Sequence, residues 1–189
     1  MIIAIKEKDR VVVGFTNECW SGIFADKDYL DEDNIAIKFI GEDKIYAFAN
    51  MNRASDILLN NQDFIDDEEV GAFDVPKYFI PFLKHQFKEN GYSYKPDNWD
   101  NALVLCNNST IYVIEPSFGF YEAEDYACHG YNTEILKSVL DETKHLPAEE
   151  RIIKAVSFST KINKCDLFPL ILADTKTRKF KYILKGEDF

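Results

Sequence analysis

Two apolar runs and one charged turn make up the first 17 residues of the chain. Residues 1–6 and 11–17 are rich in β-branched side chains, and the four residues between them are all charged. This pattern predicts a β-hairpin that begins at the first residue. Chain termini usually fray unless a strand holds them, so we expect Met1 to lie inside a sheet.

The spacing of apolar residues also predicts the elements of the rest of the chain. Alternating or continuous short apolar runs predict strands, and apolar positions three or four residues apart predict helices. Gly91 ends the second helix, and Pro81 favours a helical start later than Pro76. In chain order we predict strands at 34–40 and 44–49, helices at 52–64 and 76–87, strands at 102–106, 110–114, 118–122 and 126–129, helices at 130–140 and 147–156, and strands at 167–174 and 179–184.

In this order, helices fall between blocks of antiparallel strands. Each sheet must then bury one face on helices and the other face on a second sheet. The predicted fold class is α+β, with four layers in the order helix, sheet, sheet, helix (αββα). A length of 189 residues suits one domain that covers 1–189.

The charge balance argues against two classes of partner. The formal net charge is −11, from 33 acidic and 22 basic residues. Binding to nucleic acid or to an anionic membrane needs a basic face, so we expect no nucleic acid and no membrane partner. The opening apolar run is too short for a signal peptide, and no stretch approaches a membrane span. We therefore expect a cytoplasmic protein.

The cysteines and histidines do not form a metal-binding pattern. The four cysteines, at positions 19, 106, 128 and 165, have no CxxC spacing, and His85 and His145 fall on separate predicted helices. We expect free thiols, no metal and no cofactor. Cys128 and His129 are adjacent on a predicted strand, so their side chains should point to opposite faces and not pair. The prediction is a buried Cys128 and a partly exposed His129.

The order of elements and four short stretches carry a resemblance to a known family. The stretches are residues 11–15, residues 44–50 running into a helix, residues 126–131 running into another helix, and Asp166 before the last hairpin. They resemble the proteasome β-subunit family and the related bacterial ATP-dependent peptidase subunit, which have the Ntn-hydrolase fold. As an order of elements, the resemblance covers most of the chain. It implies an Ntn-hydrolase-like fold and a homo-oligomeric ring, or assembly with related subunits.

In that family the first residue of the mature chain is a Thr, whose hydroxyl attacks the substrate carbonyl. Its own α-amine acts as the base that activates it. A Lys positioned by an Asp assists, and a backbone N–H at a Gly stabilises the oxyanion. The resemblance assigns these positions to Met1 (nucleophile), Thr16 (Asp), Ala36 with Lys38 on the same strand face (Lys), Asn50 (oxyanion Gly), His129 (the Ser of a Gly-Ser-Gly turn) and Asp166 (a matching Asp).

Five of these six positions differ from the family, and Met1 is followed by Ile2. The resemblance therefore implies a proteasome-like subunit without catalysis, which serves as a scaffold or as a ring or assembly component. One alternative is an active amide or peptide hydrolase of the same fold, with a nonstandard nucleophile or one exposed by processing at Thr16, Cys19 or Ser21. A further alternative is an unrelated binding module with a similar element order.

Overall fold

The structure, a computed structural model, describes residues 1–16, 37–40, 44–49, 57–58, 60, 75–92, 102–130, 132–163 and 167–184. In these ranges the strands are β1 (Ile2–Lys6), β2 (Val11–Thr16), β3 (Ile37–Ile40), β4 (Lys44–Ala49), β5 (Ala102–Cys106), β6 (Ile111–Ile114), β7 (Phe120–Ala123), β8 (Tyr126–His129), β9 (Leu170–Asp174) and β10 (Lys179–Ile183). The helices are α1 (Ile80–Glu89), which continues a π-helical turn at Val75–Phe79, α2 (Thr133–Glu142) and α3 (Ala148–Asn163).

The strands form two antiparallel five-stranded sheets. The first sheet has the order β10-β9-β2-β1-β8, and the second has the order β3-β4-β5-β6-β7. The predicted N-terminal hairpin is confirmed, with Ile2 opposite Phe15 and Lys6 opposite Val11. Every strand pair in the described ranges is antiparallel, and this agrees with the predicted α+β class.

Buried side chains form three apolar clusters. One lies between the sheets and includes Ile2 and Ala4 of β1 together with Ile45 and Ala47 of β4. A second lies on the outer face of the first sheet, under α2 and α3. A third lies on the outer face of the second sheet, under α1 and the π-helical turn. The side chains of β1 thus alternate between two of these clusters, because successive side chains of a strand point to opposite faces.

Several element boundaries differ from the prediction by a few residues, and α3 extends to Asn163, seven residues beyond its predicted end. Three of the differences have a local reason. β7 begins at Phe120, because Phe118 donates its backbone N–H to the Glu115 carbonyl in a turn. α2 begins at Thr133 and not at 130, since Asn132 has a φ of 60°. β9 begins at Leu170, because Pro169 has no N–H to donate to a ladder. Of the helix predicted at 52–64, residues 57–58 are helical and most of the remainder lies outside the described residues.

The helix predicted from Pro76 is present, and Pro81 lies in its first α-helical turn. Proline fits there because its fixed φ suits helical backbone, although it donates no N–H to the preceding π-helical turn. Gly91 follows the helix with a φ of 61°, as expected for a terminating glycine. None of the described helices is long and apolar enough to cross a membrane.

Candidate functional site

Met1 extends the ladder between β1 and β2 by one residue pair. Its α-amine donates a hydrogen bond of 3.0 Å to the Thr16 carbonyl, and the Thr16 N–H donates one of 3.0 Å to the Met1 carbonyl. The Met1 side chain is 3% exposed and belongs to the cluster under α2 and α3. It therefore fills the helix side of the first sheet and does not face the space between the sheets.

Thr16 lies on the same side of the sheet as Met1. It is opposite Leu170 of β9, which belongs to the cluster under α2 and α3. Thr16 is 1% exposed, and its Oγ1 has no hydrogen-bond partner among the described residues. A hydroxyl buried in this way is out of reach of a substrate in the folded chain.

His129 lies next to the start of β1 but on the other face of the sheet. It is opposite Ile2, whose side chain is in the cluster between the sheets. Its Nε2 is 3.5 Å from the hydroxyl of Tyr121 in β7. Burial, with a smaller contribution from the Lys137 ammonium, lowers the pKa of His129 to about 4, so the imidazole is neutral at pH 7. Burial raises the pKa of Tyr121, so this contact joins two neutral groups.

Cys128 points away from His129, as the strand alternation predicts. Its side chain is in the cluster under α2 and α3, and its Sγ donates a long hydrogen bond of 3.9 Å to the Thr133 carbonyl. Burial raises the pKa of Cys128 to about 12, so the thiol stays protonated and is a poor nucleophile. Cys128 is buried and His129 is partly exposed, as predicted.

Lys38 lies on the outer face of the second sheet. It is opposite Tyr46, which belongs to the cluster under α1, whereas its neighbour Phe39 packs towards the space between the sheets. Met1 and Lys38 therefore occupy the outward faces of different sheets, with both sheets between them. Ala36, Asn50 and Asp166 lie outside the described residues, as do Cys19 and Ser21.

Of the predicted site residues, the structure thus brings Met1 and Thr16 together on one face of the first sheet. His129 lies nearby on the opposite face. The contact of His129 with Tyr121 is not predicted from the sequence, because it joins strands of different sheets. The alternation of β7 does place Tyr121 on the same face as the buried Ala123, and this is the only signal of its position. No group of three metal-ligating side chains occurs in the described ranges.

A second polar cluster, which the sequence pattern does not predict, lies at the other end of β1. Arg10 donates hydrogen bonds of 2.6 Å to Glu7 and to Asp174, and the Ala148 N–H donates one of 2.8 Å to Glu7. Thr175 accepts a hydrogen bond of 2.9 Å from the Val11 N–H. These contacts join the β1–β2 turn, the β9–β10 turn and the start of α3, which are far apart in sequence.

Comparison with known proteins identifies the fold. No family model matches the chain, and no curated protein matches it. Among solved structures it is similar to eukaryotic HslV from Trypanosoma brucei, with a TM-score of 0.59 and 15% sequence identity over 92% of this chain and 97% of that chain. At this identity the likeness shows the fold alone, which is Ntn-hydrolase-like.

Proposed function

We propose that this protein is a proteasome-like subunit of the Ntn-hydrolase fold that does not catalyse hydrolysis and serves as a scaffold or as a ring or assembly component. The observation that carries the proposal is the state of Met1. Met1, directly before β1, has no hydroxyl or thiol, and its side chain is packed under α2 and α3. An N-terminal nucleophile needs such a group beside its own amine, open to the substrate.

The four-layer arrangement αββα is part of this proposal. It is supported by the three apolar clusters, which lie under α1, between the sheets, and under α2 and α3. The ring-forming role and the cytoplasmic location are inferred from the likeness in fold to HslV. The free, buried thiols of Cys106 and Cys128 agree with a reducing compartment.

Peptide hydrolysis tests the proposal directly. The purified protein is incubated with a panel of fluorogenic peptides, with and without an inhibitor that reacts with N-terminal threonine, and an active proteasome-type peptidase serves as the positive control. We expect no inhibitor-sensitive turnover above the peptide blank. Turnover that the inhibitor abolishes would overturn the assignment as a non-catalytic subunit.

The intact mass of the same sample tests the alternative of a nucleophile exposed by processing. We expect a mass that begins at Met1. A loss that leaves Thr16, Cys19 or Ser21 as the first residue, together with peptide turnover, would support the active hydrolase. Cleavage before Thr16 would also remove β1, so circular dichroism should then show that strand structure is lost.

A further inference from the structure

The outer face of the second sheet is exposed at its β7 edge. Phe120 is opposite Ile114, whose side chain lies in the cluster under α1, so both point to the outer face. Ile114 is only 3% exposed, but Phe120 is 42% exposed. Among the described strands β7 is an edge, and a large exposed apolar side chain on an edge strand is a feature that native proteins usually avoid or use for association.

Exposed charges of opposite sign lie on α1 and at the end of β7. Lys84 and Lys88 are exposed and one turn apart on α1, and Glu122 and Glu124 are exposed at the end of β7. Within the described ranges these four side chains form no ion pair. Two lysines in and just after α2 do pair with acidic residues of that helix, Lys137 with Glu134 and Lys144 with Asp141.

The basic and acidic halves belong to one continuous surface. The Lys84 Nζ lies 5.2 Å from the centre of the Phe118 ring. The centres of the Phe87 and Phe118 rings are 5.9 Å apart. Phe118 leads through Gly119 directly into Phe120 and β7. We call the surface made of Lys84, Lys88, Phe118, Phe120, Glu122 and Glu124 the α1–β7 surface.

We propose that the α1–β7 surface binds the same surface of a second copy of this chain in a two-fold symmetric dimer. A patch with a basic half and an acidic half is complementary to itself after a two-fold rotation, because each half then meets its opposite. Along the chain, Phe120 lies between Phe118, which Lys84 contacts, and Glu122, and aromatic residues are common anchors of interfaces. This inference specifies a contact for the assembly component proposed above, and it rests on that role.

Charge-swapped variants test this pairing. Lys84→Glu with Lys88→Glu makes both halves acidic and changes the net charge from −11 to −15, since each substitution subtracts 2. Glu122→Lys with Glu124→Lys makes both halves basic and changes the net charge from −11 to −7 by the same arithmetic. Sedimentation equilibrium over a range of concentrations measures the association of each protein alone and of an equimolar mixture.

We expect the mass of the wild-type protein to rise to at least twice the 21.9 kDa of one chain as its concentration rises. Each variant alone should dimerise about tenfold more weakly or worse, because like charges then face each other. The mixture should form a heterodimer near wild-type strength. Weaker dimerisation of the basic variant would be the clearer result, because the smaller magnitude of its net charge would by itself favour association.

Matched variants on the opposite side of the molecule control for net charge and for lost apolar surface. Lys154→Glu with Lys161→Glu and Glu142→Lys with Glu150→Lys repeat both charge changes at exposed positions of α2 and α3. Phe158→Ser on α3, where the phenylalanine is 45% exposed, is the control for Phe120→Ser. We expect these controls to dimerise like the wild-type protein and Phe120→Ser to be weakened.

Two results would overturn the inference. One is a wild-type protein that stays monomeric. The other is an assembly whose mass is the same in all variants. The protein would then still assemble, but through a different surface. The proposed lack of catalysis is tested separately by peptide turnover, so the two failures are distinguishable.

Discussion

At the scale of single residues, Gly14 shows how closely the helix layer approaches the first sheet. A Cβ at this position would lie 2.4 Å from Cγ2 of Ile152 in α3, and within 3.5 Å of side-chain atoms of Leu170 and Leu172. Glycine inside a strand is normally unfavourable, because it loses more backbone freedom than other residues. Here the absence of a side chain lets Ile152 pack directly on β2.

Adding one methyl group at this position should therefore destabilise the fold. We expect Gly14→Ala to lower the free energy of unfolding by about 1–3 kcal/mol, as is typical of overpacked cores. Ile152→Ala alone should also destabilise, through the cavity that it leaves. In the double variant the new methyl group occupies part of that cavity, so its loss should be smaller than the sum of the two single losses. Urea unfolding of all four proteins measures this coupling, and strictly additive losses would contradict it.

At the scale of elements, the start of α3 is held by a carboxylate from the β1–β2 turn. Glu7 accepts the hydrogen bond from the Ala148 N–H at the first residue of α3, and it is also paired with Arg10. Such N–H groups have no partner inside the helix, and a negative charge there also interacts favourably with the helix dipole. Partial burial by itself would raise the pKa of Glu7, but the Ala148 N–H and Arg10 together lower it below its ordinary value.

Removal of this cap should cost stability at neutral pH. We expect Glu7→Ala to lower the free energy of unfolding by about 1–2 kcal/mol, which is typical for loss of a helix cap. Glu7→Gln should lose less, because its amide oxygen can still accept the hydrogen bond. The exposed Glu142, at the end of α2, provides the control as Glu142→Ala, and we expect little change there.

The same cap predicts a dependence on pH. Because the folded-state pKa of Glu7 is lowered, its contribution is fully present above the unfolded value and is lost as the pH falls through the folded value. The difference in stability between wild type and Glu7→Gln should therefore shrink below about pH 4.5. A difference that stays constant from pH 7 to pH 3 in urea titrations would contradict this assignment.

At the scale of the whole molecule, the chain crosses between the two sheets at their edge strands β7 and β8. The chain passes from the second sheet to the first through residues 124 and 125, and Tyr121 contacts His129 across the gap. Arg151, which is buried in α3, joins the same region by donating hydrogen bonds to Asp125 and to the Leu140 carbonyl. This edge therefore connects both sheets to the α2–α3 layer.

A neutral His129 at this edge should make the whole fold sensitive to mild acid. Its pKa is about 4 in the folded state and about 6.5 when unfolded, so the unfolded state binds the proton more tightly. Stability should fall as the pH decreases from about 6.5 towards 4, by roughly 3 kcal/mol if the full difference in pKa is realised. We expect His129→Gln, whose amide can still reach Tyr121, to remove most of this slope.

Urea unfolding of both proteins between pH 7 and pH 4 checks this expectation. His85, which is exposed on α1, provides the control as His85→Gln, and the acid slope of that variant should match that of the wild-type protein. Equal slopes for wild type and His129→Gln would show that the imidazole titrates normally in the folded state.

The local elements of this protein follow from its sequence alone. The apolar runs around residues 7–10 predict the first hairpin, and the pattern after Pro147 predicts α3. Alternation along β8 separates Cys128 from His129 in the same way. Side-chain periodicity and turn chemistry act over a few residues, so the sequence carries these features directly.

The site was decided by contacts between residues that are distant in the chain. Alternation alone does not say which face of β1 meets the helices, so the burial of Met1 under α2 and α3 depends on how the sheets stack. The pairing of Ile2 with His129, the outward position of Lys38 and the capping of Ala148 by Glu7 likewise need long-range packing. The sequence by itself determined that Met1 stands directly before β1, and only the tertiary structure decided that its side chain belongs to the core. The reason is physical: a strand sets the spacing of its side chains locally, but the layers packed against it determine what each face contacts.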